Sequence, residues 1–183
     1  MSGDFHVAVG DHVQFAKTVG ESDVYLFAGI TGDLSSNHVN EEVMRRSSYR
    51  RRIAHGALLI GFMSTTSTMM IEQSGGVGAA ETPVSLGYDR IRFLAPVYIG
   101  DTVTVTYRIA EIDPARRRSR SEIAITNQDG TLVAVGQHLM KWVANPAVAA
   151  SPAAPSKRVD RRAPRSWPTG SDDPAASAPR DEL

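Results

Sequence analysis

The pattern of apolar residues predicts an α+β domain in which one long helix is packed by a mainly antiparallel sheet, and three observations carry that expectation. Residues 56–73 are apolar on most sides, with Leu58, Leu59, Ile60, Phe62, Met63, Met69, Met70 and Ile71 among small residues and hydroxyls, and read as a buried central helix. Four strand-like runs follow in close succession, at 84–94, 102–112, 118–127 and 131–143. Asp129-Gly130 lies between the last two and is a strong hairpin signal.

Taken in order, residues 11–19 alternate well enough for a first strand or extended arm, through Val13 and Phe15. Ser22 then caps a helix with Asp23 in its first turn. Val24, Phe27, Ala28 and Thr31 recur at helical spacing, and Gly32 supplies the left-handed stop. Asn40, followed by Glu41 and Glu42, opens a short second helix that runs into the basic series Arg45, Arg46, Arg50, Arg51 and Arg52. The central helix ends at Ser74-Gly75-Gly76, where two glycines break the periodicity. In the second of the four runs, Val103, Val105, Tyr107 and Ile109 alternate strictly with polar or small neighbours, as a half-buried strand requires.

Composition narrows the function. Twenty basic residues balance twenty acidic ones, so no strong overall field draws the chain to nucleic acid or an anionic membrane. There are no cysteines, which excludes disulfides, thiolate catalysis and Cys-based zinc sites. His6, His12 and His138 show no metal-ligand spacing, and no metal site is expected. No secretory signal or membrane span is read in the sequence, so the expected compartment is the cytoplasm. Seven of the ten prolines lie beyond Asn145, with many Ala, Ser and Arg residues and a single aromatic, Trp167. Residues 1–144 are therefore expected to form the folded domain, and 145–183 a disordered Pro/Ala/Arg-rich tail.

The chemistry concentrates in Gly32-Asp33-Leu34-Ser35-Ser36-Asn37-His38 and in His55-Gly56. An acid and an imidazole five residues apart, in a loop between two helices, are the parts of a proton-transfer site. A bland reading exists for each, with Asp33 as a turn former and His38 as a polar loop residue. His55 is read as structural, its ring bonding backbone before Gly56.

Thr31-Gly32-Asp33, His38, Arg52-Ile53-Ala54-His55-Gly56, Ile91-Arg92-Phe93-Leu94-Ala95-Pro96-Val97 and Gly100-Asp101-Thr102 together resemble the MaoC-like, R-specific enoyl-CoA hydratases. The resemblance covers the domain before the tail. It implies a hot-dog fold, with the antiparallel sheet wrapped around the long central helix, assembled as a homodimer.

The resemblance also implies that Asp33 and His38 are the catalytic pair, holding one water over the double bond of an acyl-CoA thioester. The Gly56 amide would stabilise the enolate-like oxygen at the start of the helix. Arg51 and Arg52, nearest that motif, are the candidates for binding the phosphates of coenzyme A. The expected reaction is reversible hydration of a trans-2-enoyl-CoA to the (R)-3-hydroxyacyl-CoA, with no cofactor beyond the coenzyme A of the substrate. The alternatives are a 3-hydroxyacyl-ACP dehydratase, a hot-dog acyl-CoA thioesterase and a non-catalytic partner subunit. The loop departs from the family pattern Asp-aromatic-Asn-Pro-x-His, and Gly61 stands where some members carry a Ser that bonds the acid. Asn37 or Ser64 is expected to hold the acid instead.

Overall fold

In the computed structural model, which describes residues 5–75, 78 and 80–146, the chain opens with β1 (His12–Thr18) and continues into α1 (Glu21–Thr31). The cap of α1 is Gly20, two residues before the expected Ser22, because the Asp23 carboxylate reaches back three residues to accept the Gly20 N–H at 2.8 Å. Gly32 ends the helix with φ 78°, and its N–H donates to Ala28 O at 2.8 Å. A helical turn not expected from the sequence, α2 (Ser36–Val39), precedes α3 (Glu41–Met44), whose cap Asn40 accepts the Val43 N–H at 3.0 Å.

The long helix α4 (Gly56–Gln73) leads into four strands: β2 (Glu81–Phe93), β3 (Thr102–Asp113), β4 (Arg118–Thr126) and β5 (Leu132–Ala144). They form one antiparallel five-stranded sheet in the order β1-β3-β4-β5-β2. Alternate residues of β3, Val103, Val105, Tyr107 and Ile109, are buried together with Ile123 and Ile125 of β4 and Met140 and Trp142 of β5.

Against them α4 lays Leu59, Phe62, Met63, Thr66, Ser67, Met70 and Ile71, spaced three and four apart so that they share one face. Each fully buried Leu or Met contributes roughly 1.5–3 kcal/mol. The helix expected to be buried and central is covered on one face and open on the other. One sheet covers one face, and Ala57, Gly61, Ser64, Thr65 and Thr68 stay exposed. Among the described residues no helix is long and apolar enough to cross a membrane.

Asn145, where the tail was expected to begin, is tied to the sheet's end. Its N–H donates to Ala80 O at 2.8 Å, and its Oδ1 accepts from Thr82 Oγ1 at 2.7 Å. From residue 147 the expected tail lies outside the described residues.

One titratable group is sealed into this core. His138 of β5 is fully buried, with Nδ1 2.9 Å from Tyr107 Oη and Nε2 2.8 Å from Ser85 Oγ. Burial pushes its pKa down from 6.5 to about 4. Because the unfolded ring binds a proton more readily than the folded one, this group's contribution is fully present above about pH 6.5 and is lost as the pH falls from there towards 4. A displacement of that size corresponds to roughly 3 kcal/mol. The melting temperature is therefore expected to fall between pH 6.5 and 4, and to fall less steeply in His138→Gln. An unchanged slope in the variant would assign the acid sensitivity elsewhere.

Candidate active site

Two backbone crossings bring the chemical residues together. The Ile53 N–H donates to Asn37 O at 3.0 Å, and the Ala54 N–H donates to Val97 O at 2.7 Å, so the segment before α4 is pinned between the α2 turn and the segment that follows β2. An isolated bridge between Ile53 and Tyr98 continues the crossing. These bonds set His38 beside the N-terminus of α4.

The loop without the family's Asn and Pro is braced by its own polar groups. Asp33 Oδ1 accepts the Ser35 N–H at 3.3 Å, the Asp33 N–H meets Thr31 Oγ1 at 3.3 Å, and the Ser35 hydroxyl donates to Asn37 Oδ1. The acid is thus held by the Ser35 amide. Asn37 acts one step removed, through Ser35, and Ser64 lies instead with Ser67, Thr68 and Ser85 along a separate cavity.

His38 is 7% exposed, and its Nδ1–H donates to Ile53 O at 2.8 Å. A carbonyl can only accept, so the hydrogen sits on Nδ1 and the neutral ring keeps Nε2 as an acceptor. Asp33 is exposed. A carboxylate oxygen of Asp33 and one ring nitrogen each of His38 and His55 lie within 4.8 Å of one another. One water bonded to two such groups at about 2.8 Å, with a tetrahedral angle between the bonds, spans about 4.6 Å. The bound on these separations is of the size that one water shared between acid and imidazole would need.

The same three residues form a candidate metal-ligand set, but the rings do not suit it. His38 and His55 are stacked, with centroids 3.7 Å apart and planes 26° from parallel. In-plane lone pairs on stacked rings run side by side, whereas a metal about 2.0–2.1 Å from each nitrogen needs them to converge.

Beside the pair a cleft of 350 Å³ is lined by His38, Tyr49, Gly56, Leu59, Phe93 and Val97, among others. Gly56 opens α4, where the first N–H groups have no partner within the helix and the dipole favours negative charge. The glycine also leaves room for a neighbouring ring. A Cβ at this position would lie 2.7 Å from Cε2 of the Phe93 ring.

The two arginines diverge. Arg51 is exposed and stacks over Tyr98, its Cζ 3.9 Å from the ring centroid. The Arg52 side chain is only 12% exposed. It pairs with Glu21, donates to Glu41 at 3.2 Å and to Tyr25 Oη at 3.1 Å, and so ties the segment before α4 to α1 and α3. Neither arginine lines the cleft.

His55 is 1% exposed, and its Nε2 donates to backbone as expected, but to Asp33 O at 3.0 Å, across from the acid itself. Sequence reasoning assigned no role to Tyr49 or Phe93 as cleft walls. The only signal for Phe93 was its place within the block Ile91-Arg92-Phe93-Leu94-Ala95-Pro96-Val97.

The family model described as a MaoC like domain matches residues 4–148. The (R)-specific enoyl-CoA hydratase of Rhodospirillum rubrum is 36% identical over 108 residues, covering 59% of this chain and 69% of that one. The 3-hydroxybutyryl-CoA dehydratase of Methylorubrum extorquens is 36% identical over 126 residues, covering 68% and 74%. Among solved structures, the (R)-hydratase from A. caviae involved in PHA biosynthesis superposes with a TM-score of 0.65 at 25% identity, over 74% of this chain and 96% of that one. A hot-dog-like protein from Thermanaerovibrio acidaminovorans, at TM-score 0.55 and 18% identity over 76% and 86%, shares the fold.

Proposed function

This chain belongs to the MaoC-like dehydratase family, and from that premise we propose that it adds water reversibly to a trans-2-enoyl-CoA to give the (R)-3-hydroxyacyl-CoA. The observation that carries the reading is the approach of the Asp33 carboxylate to a ring nitrogen of His38, within 4.8 Å, beside the start of α4.

In the hydration direction a held water loses one proton to this pair as its oxygen bonds to the β-carbon. The pair delivers a proton to the α-carbon. The electron pair of the double bond passes through the thioester oxygen, where the Gly56 amide and the α4 dipole stabilise the transient charge. No electrons leave the substrate, so the step needs no redox cofactor, and coenzyme A arrives as part of the substrate. Reversal exchanges the roles of acid and base.

Arg51 is the residue we assign to the phosphates of coenzyme A, because its guanidinium is exposed. Arg52 supports the site by holding its segment, its own guanidinium being engaged by Glu21 and Glu41. We further propose a homodimer. What supports it is the exposed face of α4, where the small residues Ala57, Gly61, Ser64 and Thr68 would let a second copy approach closely.

The test is loss of enoyl-thioester absorbance with crotonyl-CoA and longer 2-enoyl-CoAs, with chiral analysis of the product. Formation of the R alcohol supports the proposal. Release of free thiol without hydration would make the chain a thioesterase, and turnover only on carrier-protein thioesters would move it to the 3-hydroxyacyl-ACP dehydratases. Binding of acyl-CoA without any turnover would make it a non-catalytic partner subunit.

A further inference from the structure

We propose that His55 is a positioning residue for the Asp33–His38 pair, holding the acid through its main chain and the base through its ring face; the inference rests on the role proposed above for that pair. Three contacts meet in this one side chain. Its Nε2–H donates to the carbonyl oxygen of Asp33 at 3.0 Å, 22 residues away in sequence. One face of its ring stacks on His38 at 3.7 Å between centroids. Phe27 of α1 packs against the same ring at 4.8 Å, tilted by 50°.

Its place in the chain matters equally. His55 is the cap residue of α4, directly before Gly56. The acid, the imidazole and the proposed oxyanion donor are therefore all tied to one ring that is 1% exposed and has no room to turn.

The hydrogen-bond pattern separates this role from that of a turn former. The Asp33 carbonyl accepts only, so the hydrogen of the neutral ring is on Nε2 and Nδ1 is left as an acceptor. Nδ1 is buried and has no hydrogen-bond partner among the described residues. A histidine serving only its own turn would spend Nδ1 on the free amides of the first turn of α4, and α4 has no side-chain cap. The ring is aligned to the acid loop and to His38 at the expense of that local bond. Meanwhile the Nδ1–H of His38 is fixed on Ile53 O at 2.8 Å, so the stack sets the plane of the His38 ring and the Ile53 bond sets its direction within that plane.

Two substitutions in the full chain divide the contacts. His55→Gln offers an amide N–H to Asp33 O but no ring face, whereas His55→Phe offers a ring face but no tether. The readouts are kcat and KM with crotonyl-CoA, circular dichroism for folding, and ¹⁵N spectra of the histidine rings. For His55→Phe we expect kcat to fall about 100-fold with KM within about threefold, and for His55→Gln about tenfold of that loss to be recovered. The His38 ring nitrogens should shift in His55→Gln, which removes the stack. If His55→Phe does not fold, His55→Gln decides alone by its His38 shift and its kcat. Wild-type kcat retained in a folded variant, a loss confined to KM, or His38 signals unmoved in His55→Gln would each overturn the proposal. A wild-type protein that hydrates no enoyl-CoA would defeat the proposed function instead, and the His38 spectra would still decide whether His55 positions that ring.

Discussion

Replacing Asp33 by Asn, or His38 by Gln, will lower kcat for crotonyl-CoA hydration by roughly 10²–10⁴-fold while changing KM by only a few-fold, the range expected when one member of an acid–base unit is removed. Asn keeps the volume of Asp33 and can still accept the Ser35 N–H, so the loop bond at 3.3 Å survives and the loss reports proton transfer. Gln at position 38 can still donate towards Ile53 O. The double variant separates cooperation from independent action. If both residues work on one water, the second substitution adds little to the first, and fully multiplicative losses would contradict a shared water. Steady-state rates of the four proteins, with melting temperatures to show that each is folded, provide the check.

Gly56→Ala is the second large effect, and it acts on activity more than on stability. The new methyl would meet Phe93 Cε2, Cδ2 and Cζ at 2.7, 2.8 and 2.9 Å, closer than carbon atoms can approach. Phe93 is 51% exposed, so its ring can swing aside. The melting temperature should therefore change by the equivalent of about 1 kcal/mol or less. The cleft has no such freedom, because the ring that must swing is its wall and the methyl would stand beside the amide we propose as the donor to the thioester oxygen. We expect kcat/KM to fall by about 10²–10³-fold, the loss seen when an oxyanion donor is disabled. Adding Phe93→Ala should relieve the clash and recover the melting temperature but not the rate. Recovery of the rate as well would mean that Gly56 matters only for packing.

The fold was legible where a residue's own neighbours in sequence determine its state. The bounds of α4, 56–73, follow from periodicity and from Ser74-Gly75, and Asp129-Gly130 marks its hairpin, with Gly130 at φ 75°. The start of α1 was misplaced because Asp23 acts backwards on Gly20, a reach that a search for Ser or Thr caps overlooks. The turn α2 was missed because four residues of Ser, Asn, His and Val carry almost no helical preference.

For the candidate site, the resemblance pointed to Asp33, His38 and Gly56, but the partners that hold these residues could not be read from the sequence. The Ser35 amide that holds Asp33, the carboxylates that engage Arg52 and the backbone oxygen beneath His55 are consequences of how distant segments cross. Nothing in the spelling of those residues announces them. The polar set Tyr107, His138 and Ser85 was invisible for the same reason, since its members come from three strands.

The sheet order also constrains how the molecule can be made. Among the described residues β1 pairs only with β3, from Thr18 opposite Thr102 to His12 opposite Arg108, so α1, the whole acid–imidazole loop, α4 and β2 lie within the one loop that this pairing closes. Closing so long a loop costs conformational entropy before its contacts return any, and topologies dominated by such pairings fold slowly. During synthesis the first strand must wait, unpaired, until the third has left the ribosome. Every residue we assign to chemistry is translated in that interval, so the chain carries its complete reactive alphabet before it has the scaffold to arrange it.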